Sequence, residues 1–161
     1  MTKIGLNLAA VLLSGFAAGA AVAADVPFGK GFGGWTFTQT AERDGIINCR
    51  AHKKTGDQHY IIAYRTNQDN AGYFSMSAKG IKKGKYPSQM TFSGGVIIDV
   101  TAVVDDGIRI WAALGDPDLE KVAQEGGFVF HIGRLGATEV DLGARTGDAY
   151  NRVIECVNSN R

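Results

Sequence analysis

Cys49 and Cys156 are the only cysteines in this chain of 161 residues, and 107 positions separate them (156 − 49). In an oxidising compartment, two cysteines so far apart most simply form one disulfide. Closing a loop of that length stabilises a fold by roughly 4–5 kcal/mol on the chain-entropy model. The bridge would pin the C-terminal segment to an early strand as a lid.

The segment that carries Cys156 supports this geometry. Thr138 to Leu142 alternates polar and apolar residues, the period of a half-buried strand. Gly143 to Gly147 follows as a turn, with Thr146 placed to cap a helix and Asp148 in its first turn. Ala149, Tyr150, Val153, Ile154 and Val157 then form one apolar helical stripe. Cys156 lies beside that stripe, so its sulfur is expected to face the body of the domain.

The compartment follows from the other end of the chain. Lys3 precedes an apolar stretch from Ile4 to Ala20, and Ala21-Val-Ala-Ala24 offers small residues at a signal-peptidase site. Residues 1–24 are therefore expected to be a signal peptide, and the protein periplasmic or secreted. Its removal leaves 137 residues (161 − 24), enough for one domain with a core. It also takes away one lysine, so 16 basic residues face 16 acidic ones. A nucleic-acid binder is normally visibly basic, which argues against that class. No later apolar run approaches membrane-spanning length.

Residues 25–34 are glycine-rich and read as an irregular lead-in; a phosphate-binding loop would have to follow a strand and open a helix. From residue 35 to 161 the chain reads as one β-rich domain. Strand patterns cover Trp35–Gln39, Ile46–His52, Gln58–Thr66, Tyr73–Ala78, Met90–Phe92, Val96–Val104, Ile108–Leu114 and Phe128–Ile132. Asp105-Asp106-Gly107 is a tight-turn signal between two of them and marks the best hairpin. Asp116 and Pro117 open a short helix, with Asp116 at the cap, and Gly126-Gly127 ends it. The fold expected is mainly β, a sandwich or a partly open barrel, with one short helix and a tethered C-terminal helix.

No stretch carries a catalytic signature. Cys49, His52 and His59 lack zinc-site spacing, and the cysteine has a better partner in Cys156. None of the serines after residue 24 sits in a Gly-x-Ser-x-Gly elbow. Asp99, Asp105, Asp106, Asp116, Asp118 and Glu120 lie near turns, and turn or capping duties account for most of them. Two surfaces are candidates for binding. One is the lysine-rich segment with Lys82, Lys83, Lys85 and Tyr86, able to meet an anionic polymer, though a solvated loop is the preferred reading. The other is an outward face with Arg109, Trp111 and His131, suited to a partner or a sugar, although Trp111 packed under the C-terminal helix is the simpler expectation.

The order of features resembles the invasion-associated locus B family of small exported bacterial proteins. A signal peptide leads to an early tryptophan, Trp35, and a strand with Asn48-Cys49. A β-rich middle follows, and then Asp148-Ala149-Tyr150 opens a helix bearing Cys156. The cysteine- or methionine-rich pattern that the family carries near its first cysteine is not found here. The resemblance implies a non-enzymatic envelope or secreted protein and transfers no catalytic residue. The reading from the residues is an exported, envelope-associated or inhibitor-like binding protein with no cofactor and no metal, partnered by another envelope protein or a secreted protein such as an enzyme it inhibits. A small glycan hydrolase and a purely structural envelope component are the alternatives.

Overall fold

A computed structural model describes residues 24–42, 45–66 and 72–161. The signal peptide expected over residues 1–24 falls almost entirely outside them. Ten strands run in chain order: β1 (Val26–Pro27), β2 (Trp35–Ala41), β3 (Ile47–Thr55), β4 (Gln58–Arg65), β5 (Gly72–Ser77), β6 (Gly84–Thr91), β7 (Ile97–Val104), β8 (Arg109–Leu114), β9 (Gly127–Ile132) and β10 (Ala137–Asp141). Helix α1 (Asp116–Glu125) separates β8 from β9, and α2 (Thr146–Ser159) closes the chain. The described residues are thus mainly β with two α-helices, and a Cys49–Cys156 disulfide tethers the second.

All ten strands belong to one antiparallel sheet, in the order β1-β2-β3-β4-β5-β8-β7-β6-β9-β10. That sheet is rolled. Phe74 on β5 and Phe128 on β9 stand four strands apart in the order, about 19 Å in a flat sheet at normal strand spacing. Their rings nevertheless meet edge to face with centroids 5.2 Å apart. Lys53 of β3 likewise donates to the carbonyl of Leu142, just past β10, at 2.6 Å. The bend falls at β7 and β8, which pair only through Ala102–Ala112 and Val103–Trp111.

Alternation along the strands sends one side chain in two into the rolled interior. Phe37, Ile62, Phe74, Met90, Ile110, Phe130 and Val140 meet there as one core. Helix α2 covers the interior side of β2, β3 and β4, and α1 packs on β5, β8 and β9. Cys49 is fully buried on β3, 6.1 Å Cα to Cα from Cys156 on the buried face of α2. Gly126 ends α1 in the left-handed region at φ 65°. Its carbonyl accepts from the backbone N–H groups of both Leu142 and Gly143, fastening α1 to the end of β10.

Several local expectations change. The lead-in is not wholly irregular: Val26 and Pro27 pair with Gln39 and Thr38 and extend the sheet by an edge strand. The short pattern at Met90–Phe92 grows into an eight-residue strand that takes in Lys85 and Tyr86, because β7 lies beside it for its whole length. Thr146 does not cap α2 but lies inside it, donating its hydroxyl to the carbonyl of Gly143. Asp116 is the first residue of α1, and its carboxylate accepts from the Tyr64 hydroxyl at 2.6 Å. Burial and that carboxylate push the Tyr64 phenol up to about 12. Trp111 faces away from the core, while α2 lies over β2 to β4; the fully buried tryptophan is Trp35.

Candidate functional site

The side chains that alternation turns away from the core build a groove of about 620 Å³ on the outward face of β3, β4, β5 and β8. Register explains its shape. His52, Ile61, Ser75 and Trp111 stand directly opposite one another across four strands. The next row is Arg50, Ala63, Tyr73 and Ala113. Small side chains in the middle, Ala63, Ser75 and Ala113, sit among tall ones, so the surface dips. A groove of this volume suits a small organic ligand or a protruding side chain.

A continuous chain of hydrogen bonds crosses its floor. Arg109 donates from Nη1 to Nδ1 of His59 at 3.2 Å, and from Nη2 to the His59 carbonyl at 2.9 Å. Its Nε donates to the Ser75 hydroxyl at 3.0 Å, and that hydroxyl donates onward to the Ile110 carbonyl. Nε2 of His59 lies 3.2 Å from Nδ1 of His52, and Nε2 of His52 lies 2.7 Å from the Thr38 hydroxyl. A guanidinium can only donate, so Nδ1 of His59 must accept and its proton sits on Nε2. That proton goes to Nδ1 of His52, whose own proton goes from Nε2 to Thr38. Both rings are therefore neutral, and neither has a free lone pair.

The electrostatics agree. Burial first, and then the neighbouring His59, push His52 down to about 4, with Asp25 pulling the other way and Arg50 and Arg109 adding smaller pushes down. Burial and Arg109 also lower His59. Arg50 holds Tyr73 through Nε at 3.1 Å and Asp25 through Nη1 at 2.9 Å. Arg65 pairs with Glu42. Arg109 is half-buried and enters none of the ion pairs among the described residues. The Trp111 indole donates to Asp105 at 3.0 Å. Asp106 accepts from the backbone N–H groups of Ile108 and Arg109, which hold its carboxyl below the usual range.

Comparison with protein-family models, curated proteins and solved structures finds no match to this chain.

Of the residues singled out in the sequence, Arg109 and Trp111 lie together in the groove. His131 does not join them. It is on β9, three strands beyond β8, beside Ala137 and Gln89. Lys82, Lys83 and Lys85 are exposed, and neither they nor half-buried Tyr86 line the groove. The Tyr86 hydroxyl donates to the Lys82 carbonyl, and Gly80 bonds to Gly107 beside the turn at the groove's rim. Cys49 and His52, weighed together as metal ligands, sit on opposite faces of β3: the cysteine is buried under α2, and the histidine lines the groove. Arg50, Tyr73 and Ser75 escaped notice, although their alternation with buried neighbours was readable. No helix among the described residues is long and apolar enough to cross a membrane.

Proposed function

We propose that this is an exported binding protein that holds a component of the envelope or the medium in the outward groove without reacting with it. The observation that carries the reading is the closed hydrogen-bond chain from Arg109 through His59 and His52 to Thr38. A general base needs a free lone pair facing the substrate, and both imidazoles already use theirs. Ser75 accepts from Arg109 and donates to a carbonyl, so its hydroxyl is not activated as a nucleophile. A glycosidase acid needs a raised carboxyl, whereas backbone donors lower that of Asp106. What remains is a shaped, polar-rimmed recess, which is the form of a recognition site.

The Cys49–Cys156 bridge supports export, since such bonds persist in oxidising compartments. The likeness in layout to the invasion-associated locus B family points to the same class. The test is a pull-down from envelope extract and culture medium with the oxidised protein, beside a cell-wall glycan-release assay. Stoichiometric retention of one component with no glycan release is the expected result. Glycan release without retention would replace this reading with a hydrolase.

A further inference from the structure

Resting on that binding reading, we infer that the groove recognises a carboxylate carried on a flat apolar group, with Arg109 as the anchor. A guanidinium has five N–H groups. Three of those of Arg109 go to Ser75, the His59 ring and the His59 carbonyl, which leaves two. It is half-buried and makes no ion pair among the described residues, and the Asp106 carboxylate acts on it through its charge alone. A partly desolvated cation bonded only to neutral acceptors gains from an anion that bonds it directly. A carboxylate that accepts from the remaining N–H groups gains charge-assisted hydrogen bonds.

The other polar groups of the groove divide between donors and acceptors. Nη2 of Arg50 is unused, since Nε serves Tyr73 and Nη1 serves Asp25 and Thr40. The two histidines offer no acceptor. The acids are engaged: Asp25 with Arg50, Asp105 with the Trp111 indole, Asp106 with backbone N–H groups. Each of these acids keeps its second oxygen outside the bonds, so the rim offers acceptors, while the donors left over in the groove are those of Arg109 and Arg50. Beside the hydrogen-bond chain the groove is lined by the apolar side chains of Ile61 and Ala113 and by the rings of Tyr73 and Trp111. A flat body lying against these, with its carboxylate toward Arg109, satisfies both halves. Such a group is found on a free aromatic or alicyclic acid and at the carboxyl terminus of a polypeptide ending in an apolar residue.

The experiment measures binding of 2-naphthoate and of a short peptide ending in Phe, each against its carboxamide counterpart. Trp111 fluorescence and backbone amide shifts are the readouts. At least one acid is expected to bind about tenfold more tightly than its amide. Preference for naphthoate identifies a free acid, and preference for the peptide acid identifies a chain terminus. Arg109→Gln should abolish the acid–amide difference. Because that change also frees His59, Arg109→Lys serves as a second variant, expected to keep part of the preference. Equal binding of acid and amide overturns the inference, as does no binding of any probe at millimolar concentration. Either failure leaves the pull-down result, and with it the binding reading, untouched.

Discussion

Nη1 of Arg109 lies 3.2 Å from Nδ1 of His59, and this one contact sets the proton positions of two histidines on neighbouring strands. A permanent donor at one end leaves a single arrangement for the whole chain: Nε2–H on His59 donating to His52, and Nε2–H on His52 donating to Thr38. The groove is polarised from β8 toward β2.

At pH 7, nitrogen-15 NMR should accordingly find His52 and His59 neutral and protonated on Nε2, with unprotonated Nδ1. Arg109→Gln, whose amide can present either an oxygen or an NH2, should let the His59 tautomers mix. A wild-type spectrum with protonated Nδ1 on either ring would refute the assignment.

The same chain makes stability pH-dependent. An unfolded histidine binds its proton near 6.5, whereas burial, with His59 and the nearby arginines, holds folded His52 to about 4. Between those values the unfolded chain carries more protons, so stability falls as the pH is lowered from about 6.5 to about 4. Thermal melts of wild type and His52→Gln across that window should converge, with the wild type showing the steeper loss. Parallel curves would mean His52 is not buried neutral.

Lys82, Lys83 and Lys85 are exposed and make no ion pair among the described residues. Replacing all three with Gln should shift stability by no more than about 0.5 kcal/mol, as for ordinary surface positions. A drop of several kcal/mol in a denaturant titration would make that segment structural.

Much of this architecture is legible in the chain. Period-2 alternation locates the strands, and Asp105-Asp106-Gly107 marks the β7–β8 turn. The two cysteines foretell the tether of α2, with Cys156 buried beside the apolar stripe. What alternation does not give is which strands become neighbours. β8 inserts between β5 and β7, and β6 pairs with β9, through contacts that local pattern does not encode. That is why Arg109 and Trp111 could be recognised as outward-facing while His131 was grouped with them. It is also why Ser75, three strands away in sequence order, went unseen as a partner of Arg109. The opposite faces of Cys49 and His52 were readable, since three residues along a strand reverse the side.

Cys156→Ser tests the tether. Breaking a closed loop of 107 residues should lower stability by roughly 4–5 kcal/mol under oxidising conditions. Under full reduction the variant and wild type should nearly coincide. Equal losses in both states would mean that the sulfur contributes through packing alone.

The outward groove is the seat of binding in this account, and Trp111→Ala probes it with little risk to the core, because the indole faces away from it. The pull-down is repeated with this variant and with the lysine-to-glutamine triple variant, after melts confirm that both are folded. Loss of the retained component with Trp111→Ala, and its retention by the triple variant, is the predicted result. Retention by Trp111→Ala together with loss in the triple variant would contradict the account and move the binding surface to the lysine-rich segment.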